Sequence, residues 1–185
     1  MAPGSPTTEA TVPESAARIA DLLNSRAYSA LTDRLTDAET AAPVLARFGQ
    51  RAGEPVPAER LELARTVRQD LLDTLFATEP ADALRAWAAF TDHTAQISYQ
   101  QDFTTGTRPA LRQVAGDPVI GTIALCVAEL VTQDNWTRLR SCANSECGEF
   151  FYDTTRSRTR RWHSYEICGN RTNVAAYRAR AKHPA

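Results

Sequence analysis

The sequence predicts a mainly α protein with one small β-hairpin, followed by a compact C-terminal module of treble-clef-like order. Three observations carry that expectation. Apolar residues recur at helical spacing through most of the first 135 positions. The period shifts towards alternation over residues 95–114. From residue 142 the spacing C-x4-C-x15-H-x4-C gathers three of the four cysteines and one of the three histidines into 27 residues.

Length and composition agree with this division. A chain of 185 residues, 43% of them hydrophobic, can bury one sizeable core and carry an accessory module. The expected division is a flexible tail over residues 1–13, a mainly helical domain over 14–135 and the module over 136–185. The opening MAPGSPTTEATVPESAAR has neither a basic start nor an apolar run, unlike a signal peptide. There is no run of eighteen apolar residues to cross a membrane. A cytoplasmic location is the resulting expectation, and in that reducing compartment paired cysteines favour a metal over a disulfide.

The helices follow in order. Ile19, Leu22, Leu23, Ala27, Ala30 and Leu31 predict a first helix over 15–31. Thr36 and Glu39 form a candidate capping box for a second, holding Val44, Leu45 and Phe48 before Gly49 and Pro55 break it. Pro57 opens a third with Leu61, Ala64, Val67, Leu71, Leu72, Leu75 and Phe76 inside, and Pro80 a fourth with Leu84, Trp87, Ala88 and Phe90. AQISYQQDF and TRPALRQV flank a TTG turn and read as the hairpin, with Pro109 at a strand start or edge. Asp117 and Pro118 supply the N-cap and first position of a fifth helix, with Val119, Ile120, Ile123, Ala124, Val127, Leu130 and Val131 on its buried side. Cys126 falls on that helix and reads as a small core residue.

The sequence offers no sign of an enzyme. His93, His163 and His183 stand at spacings that name no nucleophile or base, and no G-x-S-x-G, P-loop or G-x-G-x-x-G occurs. Charge is more informative. Residues 136–185 hold nine Arg and one Lys against four acidic residues, a net of +6, whereas residues 1–135 hold 11 basic and 18 acidic residues, a net of −7. Such a division suits a module that meets a polyanion.

Cys142, Cys147, His163 and Cys168 are the candidate metal ligands. Zinc takes four ligands tetrahedrally and accepts imidazole in place of thiolate. Gly148 supplies the left-handed backbone that a tight ligand turn needs. Phe150, Phe151 and Tyr152 read as a strand, residues 161–164 as its return partner delivering His163, and Cys168 as the start of a final helix. So small a module needs a metal, a disulfide or a partner to fold.

Over residues 138–180 the segments CANSEC, DTTR and WHSYEICGNR resemble the CGNR zinc-finger proteins of bacteria. The resemblance maps the ligand set onto the same four positions, with His163 where that family usually has Cys. It further implies a helical N-terminal domain of the kind found in stress-induced transcription regulators, and DNA binding. The basic residues fit a nucleic-acid surface: Arg156, Arg158, Arg160 and Arg161 lie in the connection after the strand, and Arg171, Arg178, Arg180 and Lys182 on the final helix, whose Val174, Tyr177 and Ala181 share an inner face. Asn170 and Arg171 are alternatively structural, capping the helix or bonding to ligand sulfurs. Two other readings use the same features. The finger is purely structural and binds protein, or Tyr152, Trp162 and Tyr165 stack bases of RNA beside the arginines. The helical domain is where a small-molecule effector or a second subunit of a homodimer would bind.

Overall fold

The computed structural model describes residues 11–104, 106, 109–174 and 178. Its regular structure comprises α1 (Glu14–Leu23), α2 (Ala38–Ala46), α3 (Ala58–Phe76), α4 (Pro80–His93), β1 (Ser98–Asp102), β2 (Ala110–Ala115), α5 (Pro118–Thr132), β3 (Leu139–Ser141) and β4 (Phe150–Tyr152). A 3₁₀ turn, Trp136–Arg138, precedes β3, and a π-helical turn, Tyr165–Gly169, carries Cys168. The described chain is thus mainly α with two small antiparallel sheets, β1 with β2 and β3 with β4.

The first helix stops at Leu23, eight residues short of the sequence expectation. The Ser25 hydroxyl takes the Leu22 carbonyl at 2.6 Å, and the buried Arg68 guanidinium binds Ser25 and Asp33 together. Those bonds draw the chain out of helix. Tyr28 and Leu31 then form an isolated bridge around Ser29 at φ 50°, and Leu31 is 57% exposed rather than on an inner face. The N-cap of α2 is Asp37, not Thr36: its carboxylate accepts from the Glu39 and Thr40 N–H groups at 3.0 Å each.

Pro57 caps α3, whose Leu61, Ala64, Val67, Leu71 and Leu72 are buried as expected, while Phe76 is exposed at the end. On α4 the inner stripe is Ala86 and Phe90 with Trp87 beside them, and Leu84 faces solvent at 70% exposure, contrary to the expected face. The hairpin matches the expected range to within one residue, β2 ending at Ala115, and Pro109 immediately precedes β2. Asp117 caps α5 through the Val119 and Ile120 N–H groups at 3.0 and 3.1 Å. Cys126 is buried in the core beside Ile123, Val127 and Leu130.

That core has a composition the sequence did not suggest. Ile19 and Leu22 of α1, Leu45 of α2, Val67 and Leu71 of α3 and Ile120 and Leu130 of α5 pack in one cluster with Leu139, Phe150 and Tyr152 of the second sheet. The apolar periodicities therefore do not complete a core before Trp136. Instead β3 and β4 supply its last layer, and Phe76 packs edge-on against Phe150 at 5.5 Å. A second, smaller cluster of Cys142, Phe151 and Cys168, with Cys147 and Trp162 against it, sits on the other side of β4. Alternation along Phe150–Phe151–Tyr152 separates the two clusters, because successive side chains of a strand point to opposite faces.

Candidate metal centre and its basic rim

Cys142 follows β3 directly and Cys147 closes the turn that leads into β4, so the two thiols share the tip of one hairpin. The Cys142 N–H donates to the Glu149 carbonyl at 2.8 Å, the Cys147 N–H to the Asn144 carbonyl at 2.9 Å, and the Glu146 N–H to the Asn144 side chain at 3.2 Å. Gly148 adopts φ 71°, the left-handed conformation expected of it. The other two ligands come from the far end of the module. Ser164 accepts the Ile167 N–H at 3.2 Å, which starts the turn that swings Cys168 inward. The expected return strand over 161–164 is not formed: β4 pairs with β3, and the 161–164 segment is tied on by the Ala143 N–H to the Arg161 carbonyl at 2.8 Å. Its orientation comes from Arg160, which donates to the carbonyls of Trp162 at 2.9 Å and of His163.

One ligand atom each from Cys142, Cys147, His163 and Cys168 lies within 4.8 Å of all the others. His163 presents Nδ1, 3.3 Å from the Cys147 sulfur and 3.7 Å from the Cys168 sulfur. A tetrahedral ion with ordinary zinc–nitrogen and zinc–sulfur bonds sets that edge at about 3.5 Å. Three thiols and one imidazole thus form a donor set that suits a tetrahedral metal ion, soft enough to select zinc over calcium or magnesium. Burial pushes the Cys147 thiol up to about 12, with the neighbouring Cys168 and Cys142 thiols adding to the rise and the Glu149 N–H opposing it. A cation in the cluster reverses that logic by holding the thiolates directly. Asn144 Nδ2 donates towards the Cys168 sulfur at 3.4 Å, the bond to a ligand sulfur that Asn170 and Arg171 were considered for. Asn170 instead donates to the Glu166 carbonyl at 3.2 Å, capping within its own turn.

The helical body grips this module at β4. Phe150 stands opposite Ser141 in a pair whose backbone bonds point away from each other, since the flanking Cys142–Glu149 and Arg138–Asp153 contacts carry the ladder. Its outward N–H and C=O are taken by the Asn24 amide, at 2.7 and 2.9 Å, in place of a third strand. Arg26 donates to the Gly148 carbonyl at 2.5 Å and lies over the Phe150 and Tyr28 rings.

The connection after β4 is organised by Asp153, whose side chain is fully buried. It accepts the Thr155 N–H and hydroxyl at 2.9 and 2.6 Å and the Arg160 N–H at 2.8 Å. Desolvation alone would raise this carboxyl, but those bonds and the Arg140 charge outweigh it and hold it below the usual range. Arg138 adds bonds to the Asp153 and Thr155 carbonyls, 2.9 Å each, and Arg140 to the Arg158 carbonyl at 2.5 Å.

The expected nucleic-acid residues consequently fall into separate groups. Arg160 is spent on backbone carbonyls and on the face of Phe151. Arg158, at φ 53°, pairs with Asp134 at 2.9 Å. Arg156, Arg161, Arg171 and Arg178 are exposed, Arg161 lying over the Trp162 ring. Tyr177, Arg180, Ala181, Lys182 and His183 lie outside the described residues. Tyr152, considered for base stacking, is buried in the core, so only Trp162 and Tyr165, 5.7 Å apart, remain near the arginines. Asn24, Arg26, Asn144, Glu149 and Asp153 escaped the sequence reading. Only Asp153 had a signal, the Asp-x-Thr pattern of a side-chain-capped turn.

No curated protein matches the chain. Residues 138–181 match the CGNR zinc finger family. Family match, motif and cluster geometry agree over this C-terminal segment, which is similar to the CGNR zinc finger and gathers the four residues that could hold a metal ion.

Proposed function

We propose that the chain is a DNA-binding transcriptional regulator whose finger folds around one structural zinc ion held by Cys142, Cys147, His163 and Cys168. The observation that carries this reading is the exposure of Arg156, Arg161, Arg171 and Arg178 on the segment that holds the four-residue cluster, in a chain whose residues 1–135 are acidic overall. Four protein ligands leave no open position on the metal, which suits a structural role. Guanidinium forks suit phosphate oxygens and guanine edges, so the finger would approach duplex DNA while the acidic body is held off it. The body would pass on a signal, and a cavity of about 610 Å³ lies at its junction with the finger, walled by Phe76, Trp136, Phe150, Arg140 and Arg158.

A second reading rests on a specific observation. Trp162 and Tyr165 wall a cavity of about 400 Å³ with Arg160 and Arg161, and single-stranded nucleic acid is held by such aromatic and cationic surfaces. Fluorescence anisotropy with labelled duplex and single-stranded probes across a salt series separates the two. The expected result is duplex binding that weakens with salt, with Arg156→Ala and Arg161→Ala each flattening the logarithmic slope by about 0.9. Preference for the single strand would transfer the function to RNA. Absence of salt-dependent binding by zinc-loaded protein would leave a protein-interaction module.

A further inference from the structure

The two nitrogens of His163 face different partners. Nδ1 lies among the sulfurs, and Nε2, on the opposite side of the ring, lies 3.3 Å from Oε2 of Glu149. A neutral imidazole carries one hydrogen. If Nδ1 gives its lone pair to a metal, that hydrogen must sit on Nε2, the nitrogen beside which the Glu149 carboxylate lies. The ring is 17% exposed and the carboxylate 37%, so the contact is shielded on the imidazole side while the carboxylate keeps partial hydration and the freedom to turn onto the Nε2 hydrogen. Glu149 is also bound to the cluster through its backbone, since its carbonyl accepts the Cys142 N–H. The residue that locks the hairpin tip is therefore the one whose carboxylate lies beside the outer nitrogen of the histidine.

We propose that Glu149 is a positioning residue that fixes His163 as an Nδ1 ligand of the metal. Without a partner at Nε2, the imidazole is free to turn about its Cβ–Cγ bond or to present the other nitrogen, and the metal loses an oriented donor. A carboxylate at that hydrogen also raises the basicity of the ligating nitrogen. Thiolate ligands have no second nitrogen to satisfy, so Glu149 should matter only while position 163 is histidine. This inference rests on the proposed zinc binding.

The test is zinc affinity of the full-length protein, measured by competition with a chelator, for the wild type and for Glu149→Ala and Glu149→Gln in both the His163 and the His163→Cys backgrounds. With His163 present, Glu149→Ala should weaken zinc by about 10–100-fold. Glu149→Gln, whose amide oxygen still accepts the Nε2 hydrogen, should recover much of that loss. In the His163→Cys background both changes should alter affinity less than about threefold, which a general effect of charge or folding would not reproduce. Long-range ¹⁵N–¹H correlation of the zinc-loaded wild type should place the ring hydrogen on Nε2. Equal losses in both backgrounds, or a metal-bound Nε2, would overturn the role of Glu149. A wild-type chain that binds no zinc would instead overturn the reading on which it rests.

Discussion

Replacing Asn24 by alanine tests whether the body and the finger are one folding unit. The Asn24 amide makes two bonds to the backbone of Phe150, whose side chain is buried at the contact between the sheet and α1. Each such bond contributes about 1 kcal/mol net, and a buried N–H or C=O left without a partner costs about 1–3 kcal/mol. The two bonds themselves are only part-buried, so water replaces some of what is lost. The expected destabilisation is about 2–4 kcal/mol, a large part of the roughly 5–15 kcal/mol that holds a domain folded. With a urea dependence of about 2 kcal/mol per molar, the midpoint should fall by about 1–2 M. The assay is urea unfolding of zinc-saturated protein, followed by tryptophan fluorescence and by far-ultraviolet circular dichroism. Trp87 and Trp136 lie 5.1 Å apart across the body and the start of the finger and report their joint packing. Coincident transitions at the lowered midpoint are the expected result. A shift below about 0.3 M, or two separate transitions in the wild type, would refute the reasoning, since either would mean that the Asn24 contact does not couple the parts.

Removing residues 136–185 should leave a chain with lost near-ultraviolet circular dichroism and bound hydrophobic dye, because Leu139, Phe150 and Tyr152 leave the core with the finger. His163→Ala should lower zinc content on elemental analysis and zinc affinity by competition, whereas His163→Cys should keep one zinc per chain. Zinc affinity should fall as pH falls through the neutral range, because binding must displace thiol protons, and proton release on loading is measurable in weak buffer. Asp153 and Asp33 are both held below the ordinary carboxyl range, so their contributions are present above the unfolded value of about 3.8 and are lost as pH falls through the lowered folded values. Asp153→Asn should flatten that acid dependence in urea midpoints measured from about pH 6 to pH 3, and should loosen the 155–161 connection to limited proteolysis.

The sequence by itself determined the helices that begin with strong local signals and the four residues that gather in the cysteine–histidine cluster. Pro57, Pro80 and the Asp117–Pro118 pair mark helix starts whatever surrounds them, because proline sets φ and an aspartate caps within two or three residues. Ligand spacing is likewise local, since the thiol and imidazole donors are named by residue type and chain distance alone. Where a competing partner is distant in the chain, the sequence was silent. Arg68 lies 43 residues from the Ser25 hydroxyl that it binds, and that contact ends α1 early. The partner of β4 is a strand of three residues just before Cys142, too short to show a period. Glu149 and His163 meet across the ligand turn, and Asn24 meets Phe150 across 126 residues. Only the tertiary structure decided which arginines are spent inside and that the finger shares the helical core, because both depend on which backbone carbonyls and apolar faces the folded chain leaves without partners.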